Sequence, residues 1–100
     1  MKINRWSAEL PPSQKIIEKL FSREGLDFKE IKVKSGSKLS NQRTPMTEVI
    51  QLISGELIFN LTGTQFALRP GDRLEIPANT MYSYSNMKNE ESLFLAAYKI

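Results

Sequence analysis

The chain has 100 residues, of which 40% are hydrophobic and 25% charged, and its formal net charge is +3. These globular values predict a single domain over residues 1–100 that needs no disulfides, and the sequence contains neither cysteine nor histidine. That absence excludes thiolate and imidazole chemistry. Because no apolar run approaches the ~20 residues that span a bilayer, and residues 1–10 lack the apolar core of a secretory signal, we expect a cytoplasmic protein without membrane contact.

The positive charge is concentrated in the N-terminal part of the chain. Lys and Arg outnumber Asp and Glu ten to five in residues 1–43, and are outnumbered four to six in residues 44–100. The lysines from Lys29 to Lys38 alternate with other residues, which is typical of the protected edge of a sheet. No aromatic residues interleave with them to stack bases, so we expect no nucleic-acid partner.

The first predicted element is an amphipathic helix that ends before Gly25. Two prolines followed by Ser13 form a typical helix start, apolar residues recur at helical spacing after them, and Gly25 is a typical stop. We expect the apolar face of this helix to lie across a sheet. Residues 1–25 are thus predicted to be an N-terminal extension with one short helix.

From residue 26 onward, short β-type runs are separated by turn residues at intervals of about ten. This rhythm predicts an all-β sandwich or barrel, and seven strands suffice for a small jelly roll. The predicted strands are Phe28–Lys34, Glu48–Ile53, Glu56–Leu61, Gln65–Leu68, Arg73–Ile76, Met81–Ser85 and Ser92–Ile100.

Two of these predicted strands are apolar on both faces, namely those around Val49–Ile53 and Leu93–Ala97. A sheet with one solvated face alternates more regularly between apolar and polar residues. The outer face of these strands is therefore expected to be covered by the helix or by a second subunit, which makes a homodimer the default expectation.

The segment 70–86 contains Gly71, Pro77, Asn79, Tyr82 and Asn86 at a distinctive spacing. It resembles G-x5-P-x-G-x2-H-x3-N, the second sequence motif of the cupins, which are small β-barrels of jelly-roll type. Asn79 stands where the motif has glycine, a mild change because Asn tolerates positive φ. Tyr82 stands where the motif has a metal-binding histidine.

The first cupin motif, G-x5-H-x-H-x3-E-x6-G, also fits this chain at its proper spacing. Gly36, Glu48 and Gly55 keep the motif's identities, whereas Gln42 and Thr44 replace its two histidines. The resemblance thus covers residues 36–86, half of the chain. It implies a double-stranded β-helix, the jelly-roll barrel of the cupins, over residues 26–100 behind the short N-terminal α-helix.

In a metal-binding cupin, the four ligand positions are His, His, Glu and His. Here they are Gln42, Thr44, Glu48 and Tyr82, so the resemblance retains one ligand out of four. Neutral oxygen donors bind divalent transition metals weakly, and we therefore predict neither a metal site nor another cofactor. A ferric ion held by tyrosinate and carboxylate is the open alternative.

The same positions are the candidate ligand-binding residues. Gln42 and Thr44 are two apart and would share one face of a strand, as would Tyr82 and Tyr84. With Glu48, these side chains are predicted to line the barrel interior and to bind a small organic ligand between the sheets. Apolar walls are expected from Leu57–Phe59 and Leu74–Ile76.

Three functional classes remain open from the sequence, which leaves the question of catalysis undecided. The first is a small-molecule binding or sensing barrel. The alternative is a metal-independent isomerase, epimerase or lyase acting on a sugar or carbonyl compound, with Glu48 as base and Tyr82 as acid. The third is an interaction protein whose interior is filled with side chains.

Overall fold

The computed structural model describes residues 2–100, which form one helix and nine strands. The helix α1 is Gln14–Arg23. The strands are β1 Lys2–Asn4, β2 Phe28–Val33, β3 Lys38–Arg43, β4 Thr47–Ser54, β5 Leu57–Leu61, β6 Thr64–Leu68, β7 Arg73–Ile76, β8 Met81–Ser85 and β9 Ser92–Lys99. No helix within these residues is long and apolar enough to cross a membrane.

The strands form two antiparallel sheets that face each other. One sheet has five strands in the order β1-β7-β4-β9-β2, and the other has four in the order β3-β8-β5-β6. Apolar side chains from both sheets fill the space between them, and they form the main core. The predicted all-β jelly roll, a double-stranded β-helix with one N-terminal helix, is confirmed.

The helix covers the outer face of the five-stranded sheet. Ser13 caps it by accepting a hydrogen bond from the Ile16 N–H at 3.3 Å, and Gly25 follows it with a φ of 73°. Ile17 and Phe21 are fully buried against outward-facing residues of β4 and β9. The helix therefore explains why these strands are apolar on both faces, and this pattern no longer argues for a homodimer.

The sequence prediction missed two strands, β1 and β3. β1 has only three residues and pairs with β7 through Ile3 and its neighbours. β3 is almost entirely exposed and polar, and a bulge between Leu39 and Gln42 breaks its register against β8. Neither strand carries the alternating apolar pattern by which the others were found.

The N-terminal extension is anchored on the turn between β6 and β7. Trp6 packs on Gly71 so closely that a Cβ at Gly71 would lie 2.5 Å from the Trp6 ring. Asp72 accepts hydrogen bonds from the Trp6 N–H at 3.0 Å, the Arg69 N–H at 3.0 Å and Arg5 Nη1 at 2.7 Å. This buried carboxylate thus ties the extension to the barrel.

Candidate functional site

The candidate site lies at the end of the barrel where β2 and β4 begin and β9 ends. Along β4, Ile50 and Leu52 point into the main core, whereas Val49 and Ile53 point toward the helix. Glu48 is the preceding residue of the inward-facing set. It stands opposite Tyr98 on β9 and Ile76 on β7, and thus occupies the mouth of an otherwise apolar interior.

Glu48 is a buried carboxylate with one occupied oxygen. The Tyr82 hydroxyl donates to its Oε1 at 3.1 Å, and only 7% of the residue is exposed. Its Oε2 has no hydrogen-bond partner among the described residues. In this part of the chain, every side-chain oxygen or nitrogen that is fully buried does have such a partner. Oε2 is therefore accessible to solvent.

The charge state of Glu48 reflects competing effects. Burial raises its pKa above the ordinary value, while the hydrogen bond from Tyr82 and the positive charge of Lys29 act in the opposite direction. Burial prevails. The carboxylate is consequently a stronger base than an exposed glutamate.

Tyr82 and Tyr84 lie side by side behind this carboxylate. Their rings pack on Phe59, with centroid distances of 6.4 Å and 5.3 Å, respectively. Burial raises the pKa of both phenols, and the negative charge of Glu48 raises it further. Without a bound cation, both are therefore neutral hydroxyls near neutral pH.

The other two predicted site residues are placed differently. Gln42 pairs with Tyr82 across β3 and β8, but its side chain is exposed and its amide donates to the Ser40 carbonyl at 3.2 Å. It thus lies at the rim, not in the interior position expected from the strand pattern. Thr44 is buried just beyond β3, and its hydroxyl donates to the Met46 carbonyl. The structure therefore brings together Glu48, Tyr82 and Tyr84.

This donor set does not fit the metal of the family. Glu48 is the one charged donor among the four positions, and no group of three His, Cys, Asp or Glu residues within 2–100 is arranged to hold an ion. The phenol of Tyr82 is neutral and donates to Glu48, while the hydroxyl of Thr44 donates to its own loop. A divalent transition metal would meet one carboxylate and weak neutral oxygens.

A pocket of about 170 Å³ opens beside Glu48. Its lining residues are Asp27, Phe28, Lys29, Glu48, Ala96, Ala97 and Tyr98. Lys29 and Tyr98 were not among the sequence-predicted site residues. Period-two alternation could have found both, because Lys29 shares a face with Ile31 of the core, and Tyr98 shares a face with Ala96.

Behind this pocket, the space between the sheets is filled. Leu57, Phe59, Leu74 and Ile76, which were expected to wall a ligand cavity, are each at most 1% exposed and pack in the main core. The space next to Glu48 is therefore at the barrel mouth and not deep between the sheets.

Residues 29–98 match the family model described as "Cupin domain". The chain belongs to the cupin family. The match spans both degenerate motifs, including the positions of Gln42, Thr44 and Tyr82 where this cupin lacks the histidines. No curated protein sequence matches the chain.

Solved structures share this cupin fold at low sequence identity. A cupin superfamily protein from Desulfitobacterium hafniense has a TM-score of 0.67 and 12% identity, over 99% of this chain and 76% of that one. The DMSP lyase DddQ from Ruegeria pomeroyi has a TM-score of 0.69 and 18% identity, over 75% and 38% of the two chains.

A third similar chain comes from the structure of Drosophila melanogaster CENP-C bound to CAL1. Its TM-score is 0.68 with 20% identity, over 72% of this chain and 63% of that chain. This cupin thus spans less than two thirds of the CENP-C structure's chain and of the lyase. Similarity at this level establishes the common fold alone, since cupins share a scaffold across unrelated activities.

Proposed function

We propose that this cupin binds a small polar organic molecule at the open end of its barrel, without a transition metal. The observation that carries the proposal is Glu48, whose carboxylate is buried, held at Oε1 by Tyr82, and accessible at Oε2 beside the pocket. A ligand hydroxyl or amine would donate to Oε2.

The energetic cost of burying the Glu48 carboxylate supports a ligand-binding role. Removing a carboxylate from water costs several kcal/mol unless it is well paired, and a single phenol is an incomplete partner. Neighbouring inward positions on β4 are Ile50 and Leu52, both fully buried. An apolar residue at position 48 would extend this core at no such cost, so the carboxylate serves something other than packing.

The pocket limits the size and chemistry of the ligand. Its volume of about 170 Å³ is close to that of engineered cavities of ~150 Å³ that hold benzene, and it is smaller than most drug-binding sites. Lys29 and Glu48 supply opposite charges at its wall. This combination favours a compact molecule with a hydroxyl or amino group toward Glu48 and an anionic group toward Lys29, such as a short hydroxy acid.

The remaining predicted ligand-binding residues have supporting positions in this proposal. Tyr82 orients the Glu48 carboxylate, and Tyr84 packs behind Tyr82 against Phe59. Gln42, at the exposed rim, and Thr44, in the adjoining loop, do not line the pocket, and in this proposal they would meet only a ligand that extends beyond it.

A fragment-binding experiment tests the proposal. Short hydroxy acids and their uncharged alcohol analogues are titrated into the isotope-labelled protein, and backbone amide shifts are followed by NMR. We expect saturable shifts at Lys29, Glu48 and Tyr98, stronger for the acids, that are lost in Glu48→Gln. The matched control Glu30→Gln changes the same functional group at an exposed position on β2, and should bind as the parent does. Equal binding by Glu48→Gln would refute the role of the carboxylate.

The second candidate is a metal-independent isomerase, epimerase or lyase acting on a sugar or carbonyl compound. The observation that favours it is the same pair viewed as acid and base: burial raises the pKa of Glu48, and the neutral Tyr82 phenol lies 3.1 Å away. In a turnover assay, Glu48→Gln and Tyr82→Phe should then reduce kcat by orders of magnitude. For a binding protein they should change affinity alone.

A further inference from the structure

A second pocket lies between the N-terminal extension, the end of α1 and the outer face of the five-stranded sheet. Its volume of about 350 Å³ is larger than that of the pocket beside Glu48, and it lies at the lower end of the range of small-molecule sites. Its lining combines apolar and polar side chains, including Trp6, Ala8, Leu20, Glu24, Gln51 and Arg73.

Gln51 and Arg73 are polar residues on a face that is otherwise apolar. Gln51 alternates with Val49 and Ile53 along β4, so it lies on the outer face with them, and it stands opposite Arg73 on β7. Gln51 is 3% exposed, and the Arg73 side chain is 16% exposed. Burying polar groups costs free energy that apolar residues beneath a helix would not cost. This polar pair therefore serves more than the packing of α1.

Contacts on three sides hold the Arg73 guanidinium in place. Its Nε donates to Gln51 Oε1 at 3.0 Å, and Gln51 Nε2 in turn donates to the Gly71 carbonyl at 2.9 Å. The guanidinium carbon lies 4.9 Å from the centre of the Phe21 ring, and Nη1 donates to Glu24 Oε1 at 2.8 Å. The guanidinium is thus preorganised, which lowers the entropy cost of binding a ligand to it.

Each member of the Arg73–Glu24 ion pair keeps one atom free. Among residues 2–100, neither Arg73 Nη2 nor Glu24 Oε2 has a hydrogen-bond partner. Nη2 is accessible to solvent, because every fully buried side-chain nitrogen or oxygen there is paired, and the Glu24 side chain is 46% exposed. The hydrogen bond from Arg73 lowers the pKa of Glu24, which keeps it a carboxylate at neutral pH. The pair therefore presents a cationic donor and an anionic acceptor side by side.

We propose that this pocket binds a free α-amino acid with an apolar side chain. The ligand carboxylate would accept from Arg73 Nη2, and the ligand ammonium would donate to Glu24 Oε2. An α-amino acid carries these two groups on one carbon atom, which suits an ion pair whose free donor and acceptor are adjacent. The apolar side chain would pack on Trp6 and Leu20.

The charges around the pocket suit a ligand with both signs of charge. Leu20 and Glu24 stand at the C-terminal end of α1, where the negative end of the helix dipole favours the ligand ammonium. Arg5, the other cation in the lining, is paired with Asp72 at 2.7 Å. Arg73 and Glu24 are then the groups left to bind a ligand, and together they favour a zwitterion over a simple anion.

Tryptophan fluorescence tests the proposal, because Trp6 is the one tryptophan of the chain and lines the pocket. Leucine and methionine are titrated into the protein, and we expect a saturable change in the emission. N-acetylleucine lacks the ammonium and leucinamide lacks the carboxylate, so neither should reproduce this change. Glu48→Gln should respond to leucine as the parent does, since Glu48 lies on the inner face of the sheet.

Substitutions in the ion pair test the two contacts separately. We expect Glu24→Gln to weaken leucine binding about ten- to a hundredfold, and Arg73→Lys to do the same, because lysine keeps the charge but has no second nitrogen. Glu91→Gln is the matched control at an exposed position outside the pocket, and should bind as the parent does. Far-UV circular dichroism verifies that each variant is folded.

Four results would overturn the proposal. They are a parent chain that responds to neither amino acid, an equal response to N-acetylleucine, unchanged affinity in folded Glu24→Gln, and loss of the leucine response in Glu48→Gln. The last result would place the ligand at the barrel mouth.

Discussion

At the scale of single residues, Glu48 is expected to lower the stability of the protein near neutral pH. Since burial raises its folded-state pKa, the contribution of Glu48 to stability is greatest where Glu48 is protonated, and that contribution is lost as pH rises through the folded pKa. We therefore predict that Glu48→Gln unfolds at a higher urea concentration than the parent at pH 7, with the difference vanishing below the ordinary glutamate pKa of 4.5. Glu30→Gln should leave the midpoint unchanged, and a lower midpoint for Glu48→Gln at pH 7 would contradict the assignment.

Asp72 presents the opposite case, a buried carboxylate that is fully paired. Burial alone would raise its pKa, but the Arg69 and Trp6 N–H groups and the Arg5 guanidinium together lower it. Its contribution is present at neutral pH and is lost as pH falls through the lowered pKa. Asp72→Asn is expected to cost about 2–4 kcal/mol at pH 7, because an amide offers these donors one oxygen.

Urea titrations of Asp72→Asn and of Asp27→Asn as an exposed control measure this cost. The gap between Asp72→Asn and the parent should narrow below the ordinary aspartate pKa of 3.8. A gap that does not depend on pH would show that Asp72 acts through its shape and not its charge.

At the scale of elements, the sequence predicted what periodicity and turn chemistry encode. The strands Arg73–Ile76 and Met81–Ser85 have the predicted bounds, and the helix lies between its predicted cap and stop. The polar strand β3 was not predicted, because it forms through its pairing with β8 and has no alternation of apolar and polar residues in its own sequence. The same bulged strand leaves Gln42 exposed. Gln42 was therefore wrongly predicted to face the interior for the same reason that β3 was missed.

The helix α1 is predicted to be a necessary cover for the five-stranded sheet. Phe21 is fully buried, contacts Phe28 edge-on and lies under the Arg73 guanidinium, 4.9 Å from the ring centre. We expect Phe21→Ala to cost about 3–5 kcal/mol in the free energy of unfolding, because it leaves a cavity and exposes β4 and β9. Lys19→Ala, on the exposed side of the same helix, should change it by less than about 0.5 kcal/mol. Similar effects of the two substitutions would mean that the helix does not pack as described.

At the scale of the whole molecule, the two cupin motifs separate into a scaffold part and a chemical part. The scaffold part is retained because the backbone requires it: Gly71 has a φ of 92° beneath Trp6, and Asn79, standing for glycine, has a φ of 61°. The chemical part is free to change, since Gln42, Thr44 and Tyr82 are compatible with the same barrel. The first part was enough to predict the fold, but the motifs alone could not predict the pocket, because every lining residue except Glu48 lies on β2, on β9 or just before β2, outside both motifs.

This separation predicts that the barrel does not depend on a metal for its stability. A site occupied at a hundred times its Kd adds about 2.7 kcal/mol, which corresponds to a Tm increase on the order of 10 °C for a domain of this size. We expect Mn²⁺, Ni²⁺ and Zn²⁺ to leave the Tm of the parent chain unchanged in calorimetry, because Glu48 is the one charged donor at the family's ligand positions. A Tm increase that disappears in Glu48→Gln would reveal an oxygen-ligand site and contradict this prediction. An increase that persists in Glu48→Gln would place the metal elsewhere on the surface, and would leave the barrel mouth to the organic ligand proposed for it.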